Sequence, residues 1–187
     1  MKDVGKQITM QNSRLNQYIA KYMARTNLGK WLNYYKNLPL KRAIKESAIA
    51  IGPNGKKHPH QRRIPKKILK KVARILVKNK GKINHCNSFE DLINLVYQKV
   101  KKVKGFGELC VYDTALRIGA SKNIYPEKMV YIHAGTDVGC KNLKLKNSNY
   151  KVWKVLPVDN NLPKPLRKLK AYEIEDFLCI YKSEIND

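Results

Sequence analysis

The sequence predicts an all-α protein, a multi-helix globular domain, on three observations. Apolar residues recur at helical spacing through most of the 187-residue chain. Start and stop signals punctuate those stretches, with Ser88 ahead of one, and Leu38-Pro39 and Gly52-Pro53-Asn54-Gly55 behind others. No internal repeat or long low-complexity tract competes with them, and an apolar share of 43% suffices for a core at this length.

The first helical stretch runs from about Ser13 to Tyr35. Leu15, Ile19, Tyr22 and Met23 begin its stripe, Leu28, Trp31, Leu32 and Tyr35 continue it, and Asn27-Leu28-Gly29 marks a break. A shorter helix follows from Leu40 to Ile51, with Ile44, Ala48 and Ile49 on one side. The turn Gly52–Gly55 is the expected division between an N-terminal helical part, 1–51, and a second part, 56–187, unless the two form one continuous domain over 1–187. A basic loop, KKHPHQRRIPKK, then leads into a helix from about Pro65. Its apolar face is Ile68, Leu69, Val72, Ile75 and Leu76, its remainder is Lys and Arg, and Gly81 is expected to close it.

Ser88 is an N-cap with Asp91 in the capping-box position. Phe89, Leu92, Ile93, Val96, Val100 and Val103 keep the helical period up to Gly105-Phe106-Gly107, and Leu109, Tyr112, Ala115, Leu116 and Gly119 carry a second stripe beyond it. The apolar run MVYIHA, Met129 to Ala134, fits a strand or a helical turn equally. Thr136 is the expected N-cap of a helix to about Leu145, Asn147 to Pro165 reads as a long loop around Trp153, and Tyr172 to Tyr181 closes the chain as a helix with acids at its N-terminal end.

Charge narrows the function. Thirty-nine Lys and Arg against fourteen Asp and Glu leave a formal +25. Nineteen of those cations, with three acids, fall between Lys41 and Lys104, whereas 171–187 holds five acids and one lysine. A polyanion explains such a concentration, because each phosphate neutralised by Lys or Arg releases condensed counterions. The expected partner is nucleic acid, foremost duplex DNA, and not a membrane. No run of about 18 apolar residues makes a transmembrane helix, and MKDVGKQITMQNSR lacks the apolar core of a signal peptide. Cys86, Cys110, Cys140 and Cys179 form no C-x-x-C pair, and Cys110, Cys140 and Cys179 lie in apolar-periodic segments where buried free thiols are expected, which fits a reducing cytoplasm, near the nucleoid in a bacterial cell.

Residues 103–118, VKGFGELCVYDTALRI, fit the helix-hairpin-helix pattern of apolar-x-Gly-apolar-Gly followed by an apolar helix. A helix N-terminus leaves backbone N–H groups without partners and carries partial positive charge, so glycines leading into it let a phosphate approach the backbone. Gly105 and Gly107 allow the turn, N–H groups from Gly107 to Leu109 meet the phosphate, Phe106 plugs the hairpin from inside, and Lys101, Lys102 and Lys104 add charge. Glu108 must point away from that phosphate, and Val111 stands where the motif commonly has alanine.

This hairpin resembles that of the endonuclease III-like superfamily of DNA glycosylases, all-helical proteins that flip a damaged base out of the duplex. The likeness is specific over the hairpin alone. In that superfamily a catalytic Asp follows at the start of the next helix, often within Val-Asp-Thr-His. Here Val130-Tyr131-Ile132-His133 echoes the motif with Tyr131 in the aspartate's place, and Asp137 lies at the next predicted helix start. Bifunctional members carry a lysine just after the turn, where this chain has Leu109, so the resemblance implies at most a monofunctional N-glycosidase. The whole chain also looks like a set of uncharacterised bacterial proteins with stretches similar to HPHQRRI, VYDTALRIGA, VYIHAGT and EIEDFLCIYK, a likeness that brings no chemistry with it.

The remaining candidates are local. His58, His60, Gln61, Arg62 and Arg63, with Lys66 beyond, form a loop that can lie along a phosphate backbone. An extended His58-x-His60 has no acid or cysteine near in sequence to complete a metal shell, so neither metal nor cofactor is expected. Asp113 pairs with Arg117 at i,i+4 or serves as a carboxylate beside a developing oxocarbenium ion. The expected function is thus duplex binding through the hairpin and the basic loop. The alternatives are glycosylase-like base excision with Asp137 or Asp113, and an RNA-binding module.

Overall fold

The structure, a computed structural model, describes residues 2–185, with side chains from Asn12 onward. Among the described residues the α-helices are α1 (Lys2–Arg25), α2 (Leu28–Lys36), α3 (Leu40–Ile49), α4 (Lys66–Lys78), α5 (Lys80–Asn84), α6 (Phe89–Val100), α7 (Glu108–Lys122), α8 (Ala134–Asn142) and α9 (Ala171–Ile180). Three short strands, β1 (Met129–Tyr131), β2 (Ser148–Tyr150) and β3 (Trp153–Pro157), complete them. The chain forms two compact units, a helical one over 27–125 and a mixed one built from 1–26 and 126–187. The turn at 52–55 lies inside the helical unit.

The helical unit is organised around α7, which packs against α2, α3 and α6. From Cys110 to Ala120 only Asp113 escapes full burial. A helix covered on all sides needs apolar or small residues round its whole circumference, and Val111, Ala115, Leu116, Ile118, Gly119 and Ala120 supply them. Its partner α6 begins at the predicted cap: the Asp91 N–H donates to the Ser88 hydroxyl at 3.0 Å, and that hydroxyl donates to the Asp91 carboxylate at 2.7 Å. Phe89, Leu92, Ile93, Val96 and Val100 all turn inward. α7 stops at Asn123 in a left-handed conformation (φ 57°), where the Asn123 and Ile124 N–H groups take the carbonyls of Ala120 and Gly119.

In the mixed unit β3 lies between β1 and β2 in an antiparallel sheet, with Val130 opposite Leu156 and Tyr150 opposite Trp153. Leu15, Ile19 and Tyr22 of α1, Val130 and Leu156 of the sheet, and Ile174, Phe177 and Leu178 of α9 share one core. The Tyr22 hydroxyl donates to Asp176 at 3.0 Å, tying α1 to α9. α8 meets α9 through glycines: a Cβ on Gly135 would stand 2.6 Å from the Cys179 sulfur, and one on Gly139 2.5 Å from the Leu178 carbonyl oxygen.

The fold is mostly helical, and the all-α expectation is corrected by the sheet. The segment 147–165, expected as loop, contains β2 and β3. Strands of three and five residues carry almost no periodic signal of their own; pairing of β3 with β1 on one side and β2 on the other, and burial of Trp153, Val155 and Leu156, make them strands. Gly81 does not end a helix but sits within α5. Thr136 is not a cap: α8 starts after His133, and the Thr136 hydroxyl is buried and donates to Glu175 at 2.8 Å. The break expected near 27–29 is present between α1 and α2.

Two glycine substitutions should move stability in opposite directions. Gly81→Ala, with nothing within 4 Å of the added methyl, should gain up to about 1 kcal/mol from helix propensity. Gly139→Ala has the same intrinsic gain but drives a methyl into the backbone of α9, so a net loss of about 1–2 kcal/mol is expected. Urea denaturation of both variants measures the contrast.

Candidate nucleic-acid interface

The basic loop between α3 and α4 is folded inward at two of its residues. Ala50, left-handed at φ 60°, ends α3, and its carbonyl accepts from the His58 N–H at 2.9 Å. His58 is thereby buried, 4% exposed, with its Nε2 2.8 Å from the Tyr35 hydroxyl and its ring edge-on to Trp31 at 4.0 Å between centroids. The Tyr35 hydroxyl gives its single proton to the Ile51 carbonyl at 2.6 Å. The His58 Nε2 therefore carries a proton and donates it to the Tyr35 oxygen. Burial, reinforced by the Arg117 charge, pushes the His58 pKa down to about 3, so the ring is neutral near pH 7.

Gln61 is fully buried and its Oε1 accepts from the Arg117 guanidinium at 2.7 Å. The same guanidinium donates to the Ser47 carbonyl at 3.4 Å and to the Asp113 carboxylate at 3.2 Å. His60, half exposed, brings Nδ1 to 3.8 Å from that carboxylate. His58 and Gln61, expected along a phosphate backbone, are thus turned inward, His58 onto Tyr35 of α2 and Gln61 onto Arg117 of α7. Arg62 and Arg63 remain on the surface.

The connection from α6 to α7 presents a different face. Val103 and Phe106 point into the core, with Phe106 in the plug position, while Lys101, Lys102, Lys104, Gly105 and Gly107 are exposed and Leu109 is half-buried. Gly105 takes φ +83°, and a Cβ there would lie 2.8 Å from Cδ1 of Ile68. Only glycine combines that backbone with that contact, and the contact seats the turn against the first turn of α4. Gly107 is the extended N-cap of α7 with no side-chain capping bond, and its carbonyl accepts from the Val111 N–H at 3.1 Å. The opening N–H groups of α7 are thus left without a side-chain cap, beside the exposed Glu108.

Helix α4 adds the densest charge. Lys66, Lys67, Lys70, Lys71, Arg74 and Lys78 are all exposed, and its first turn holds no acid to offset the macrodipole. At 100° per residue these cations form one continuous arc of about 140°. Lys67, Lys71 and Lys78 lie on the side nearer Ile68 and the glycine turn. Lys66, Lys70 and Arg74 border a cleft against α3 of about 460 Å³. Sequence periodicity marks the apolar face of α4 but not this partition, nor Lys45 and Lys57 across the cleft, because α3 and the loop must first be in place.

The two candidate carboxylates are both neutralised. Asp113 faces Arg117, as the i,i+4 spacing suggests. Asp137, in the first turn of α8 in the mixed unit, is bound by the Lys154 ammonium and by Lys141 at 2.9 Å. Those two lysines hold its carboxyl below the usual carboxylate range. Cys110, at the start of α7, is pushed up to about 11 by burial with Asp113 nearby, so it stays a thiol. Among the described residues no group of three or more His, Cys, Asp or Glu is placed to hold a metal, and no helix is long and apolar enough to cross a membrane. Compared with known protein families, curated proteins and solved structures, the chain gives no match.

Because the His58 pKa falls from an unfolded value of about 6.5 to about 3 in the folded protein, the unfolded chain binds the extra proton between those values. Stability should be unaffected by this group above about pH 6.5 and should fall as the pH drops toward 3, at up to about 1.4 kcal/mol per pH unit. Urea unfolding between pH 6.5 and 4.5 should show this slope, and His58→Gln should flatten it.

Proposed function

We propose that this protein binds duplex DNA through its phosphate backbone, using the α6–α7 turn as a helix-hairpin-helix and the adjoining sector of α4 as a second contact. One observation carries the reading: Gly105 is seated on Ile68, which sets the exposed lysines of the turn beside Lys67 and Lys71 with no acid in the first turn of α4. The uncapped N-terminus of α7 offers N–H donors to one phosphate, and the lysines neutralise its neighbours. Such contacts supply affinity with little reading of base sequence. Arg62 and Arg63 extend the basic surface, whereas His58 and Gln61 only hold the loop that bears them.

A glycosylase reading has no comparable support. Base excision needs a carboxylate available to a developing positive charge, and Asp113 and Asp137 are each committed to a cation.

Binding to arbitrary duplexes should weaken steeply with salt. Lys71→Ala and Lys104→Ala should each lower affinity severalfold and reduce the slope of log K against log salt by about one. Fluorescence anisotropy over a salt series measures both. Salt-insensitive binding would overturn the proposal, and tighter binding to duplex RNA would redirect it to RNA.

A further inference from the structure

The cleft between α3 and α4 is chemically unlike the surface beside the turn. Its floor is aliphatic, made by Ile49, Ile51, Leu69, Ala73 and Val77, and its rim is cationic, made by Lys45, Lys57, Lys66, Lys70 and Arg74. No carboxylate lines it. Among the described residues none of Lys45, Lys66, Lys70 and Arg74 is in an ion pair. Lys57 is held across the rim by the carbonyls of Ile64 at 2.7 Å and Arg62 at 3.4 Å. The nearby acid Glu46 is occupied elsewhere, by Arg42 and the Tyr34 hydroxyl.

We propose that this cleft receives an acidic amphipathic helix of a partner protein. From Lys66 to Val77 its α4 wall spans three turns, about 16 Å. Along that wall the cations recur once per turn, with the apolar residues Leu69, Ala73 and Val77 below them. Lys45 of α3 adds charge across from α4, and Lys57, held by the Ile64 carbonyl, adds charge at the end where α4 begins. An occupant must therefore be apolar along one stripe and anionic along both flanks, which a helix with apolar residues at i, i+4 and i+7 and Glu or Asp beside them provides. Ala73, the smallest residue of the floor, leaves room at its middle for one large apolar side chain.

The same geometry disfavours other anions. An acyl chain with a single head group needs cations at one end, not along both walls. A nucleic-acid strand has no aliphatic stripe, and the cleft has no aromatic residue on which a base could stack. The chain's own acidic helix, α9, buries Tyr172, Ile174, Phe177 and Leu178 in its own core, so its apolar face is already used. This proposal does not rest on the DNA reading, because the cleft uses Lys66, Lys70 and Arg74 and the turn side uses Lys67, Lys71 and Lys78.

The test is anisotropy of a fluorescein-labelled three-turn peptide, Leu at i, i+4 and i+7 and Glu on both flanks, titrated with the full chain at physiological salt. Saturable binding is expected. A control peptide of equal charge with Ser for Leu should bind at least about tenfold more weakly. Lys70→Glu combined with Arg74→Glu, both on exposed positions, should also weaken the Leu peptide about tenfold or more. Lys67→Glu with Lys71→Glu reverses the same number of charges on the same helix, so it should weaken the peptide clearly less than the Lys70 and Arg74 reversals do, while weakening duplex DNA more than they do. Equal affinity for the Ser peptide would reduce the effect to general charge attraction and overturn the proposal. So would indifference to the Lys70 and Arg74 reversals, or uptake of a fluorescent fatty acid in the absence of peptide binding.

Discussion

The helical unit depends on satisfying one buried charge. Arg117 sits on a helix covered on all sides and is 6% exposed. A guanidinium stays protonated in proteins, so at that depth it must be met by acceptors or the unit loses several kcal/mol. Gln61 from the basic loop, the Ser47 carbonyl from α3 and Asp113 from its own helix meet it. Each acceptor comes from a different part of the chain. The loop cannot swing outward toward a ligand without stripping the guanidinium, and this turns a sequence that looks like a basic arm into a packed support. His58 reinforces it as a donor to Tyr35, and burial keeps its ring neutral near pH 7.

With the loop fixed, α4 takes its position, and its cations acquire two meanings. One end of their arc lies toward a glycine turn whose helix lacks a side-chain cap; the other borders an aliphatic cleft. In the two proposals, one end meets a phosphate backbone and the other an acidic, partly apolar partner. The exposed lysines contribute little to stability in either role, since surface charges on a net-positive protein repel more than they pair.

The mixed unit shows the opposite electrostatics. Its acids are used internally: Asp176 accepts from Tyr22, Glu175 from Thr136, and Asp137 from two lysines. Close approach of α8 to α9 through Gly135 and Gly139 brings Thr136 within reach of Glu175. An aspartate at a helix start stabilises that helix by macrodipole and ion pairing alone, which accounts for Asp137 without catalysis.

Much of the helical framework was legible in the sequence. Ser88 and Asp91 marked the start of α6, the Asn27–Gly29 break separated α1 from α2, and the apolar periods placed α4, α6, α7 and α9, because these signals act within a few residues of backbone. The glycines of 105–107 and the inward Phe106 were likewise readable from local backbone chemistry. Pairing over distance was not. Whether Met129–Tyr131 was a strand depended on Trp153–Pro157 lying beside it, and neither segment is long enough to announce itself. His58 and Gln61 looked like surface polar residues until Arg117, distant in sequence, required acceptors. The cleft, too, exists only where α3 meets α4. Sequence alone therefore determined most of the helical segments and where positive charge accumulates. Tertiary structure decided which polar residues face inward and how the cations of α4 divide, since burial and electrostatic satisfaction are set by neighbours that the chain brings together only on folding.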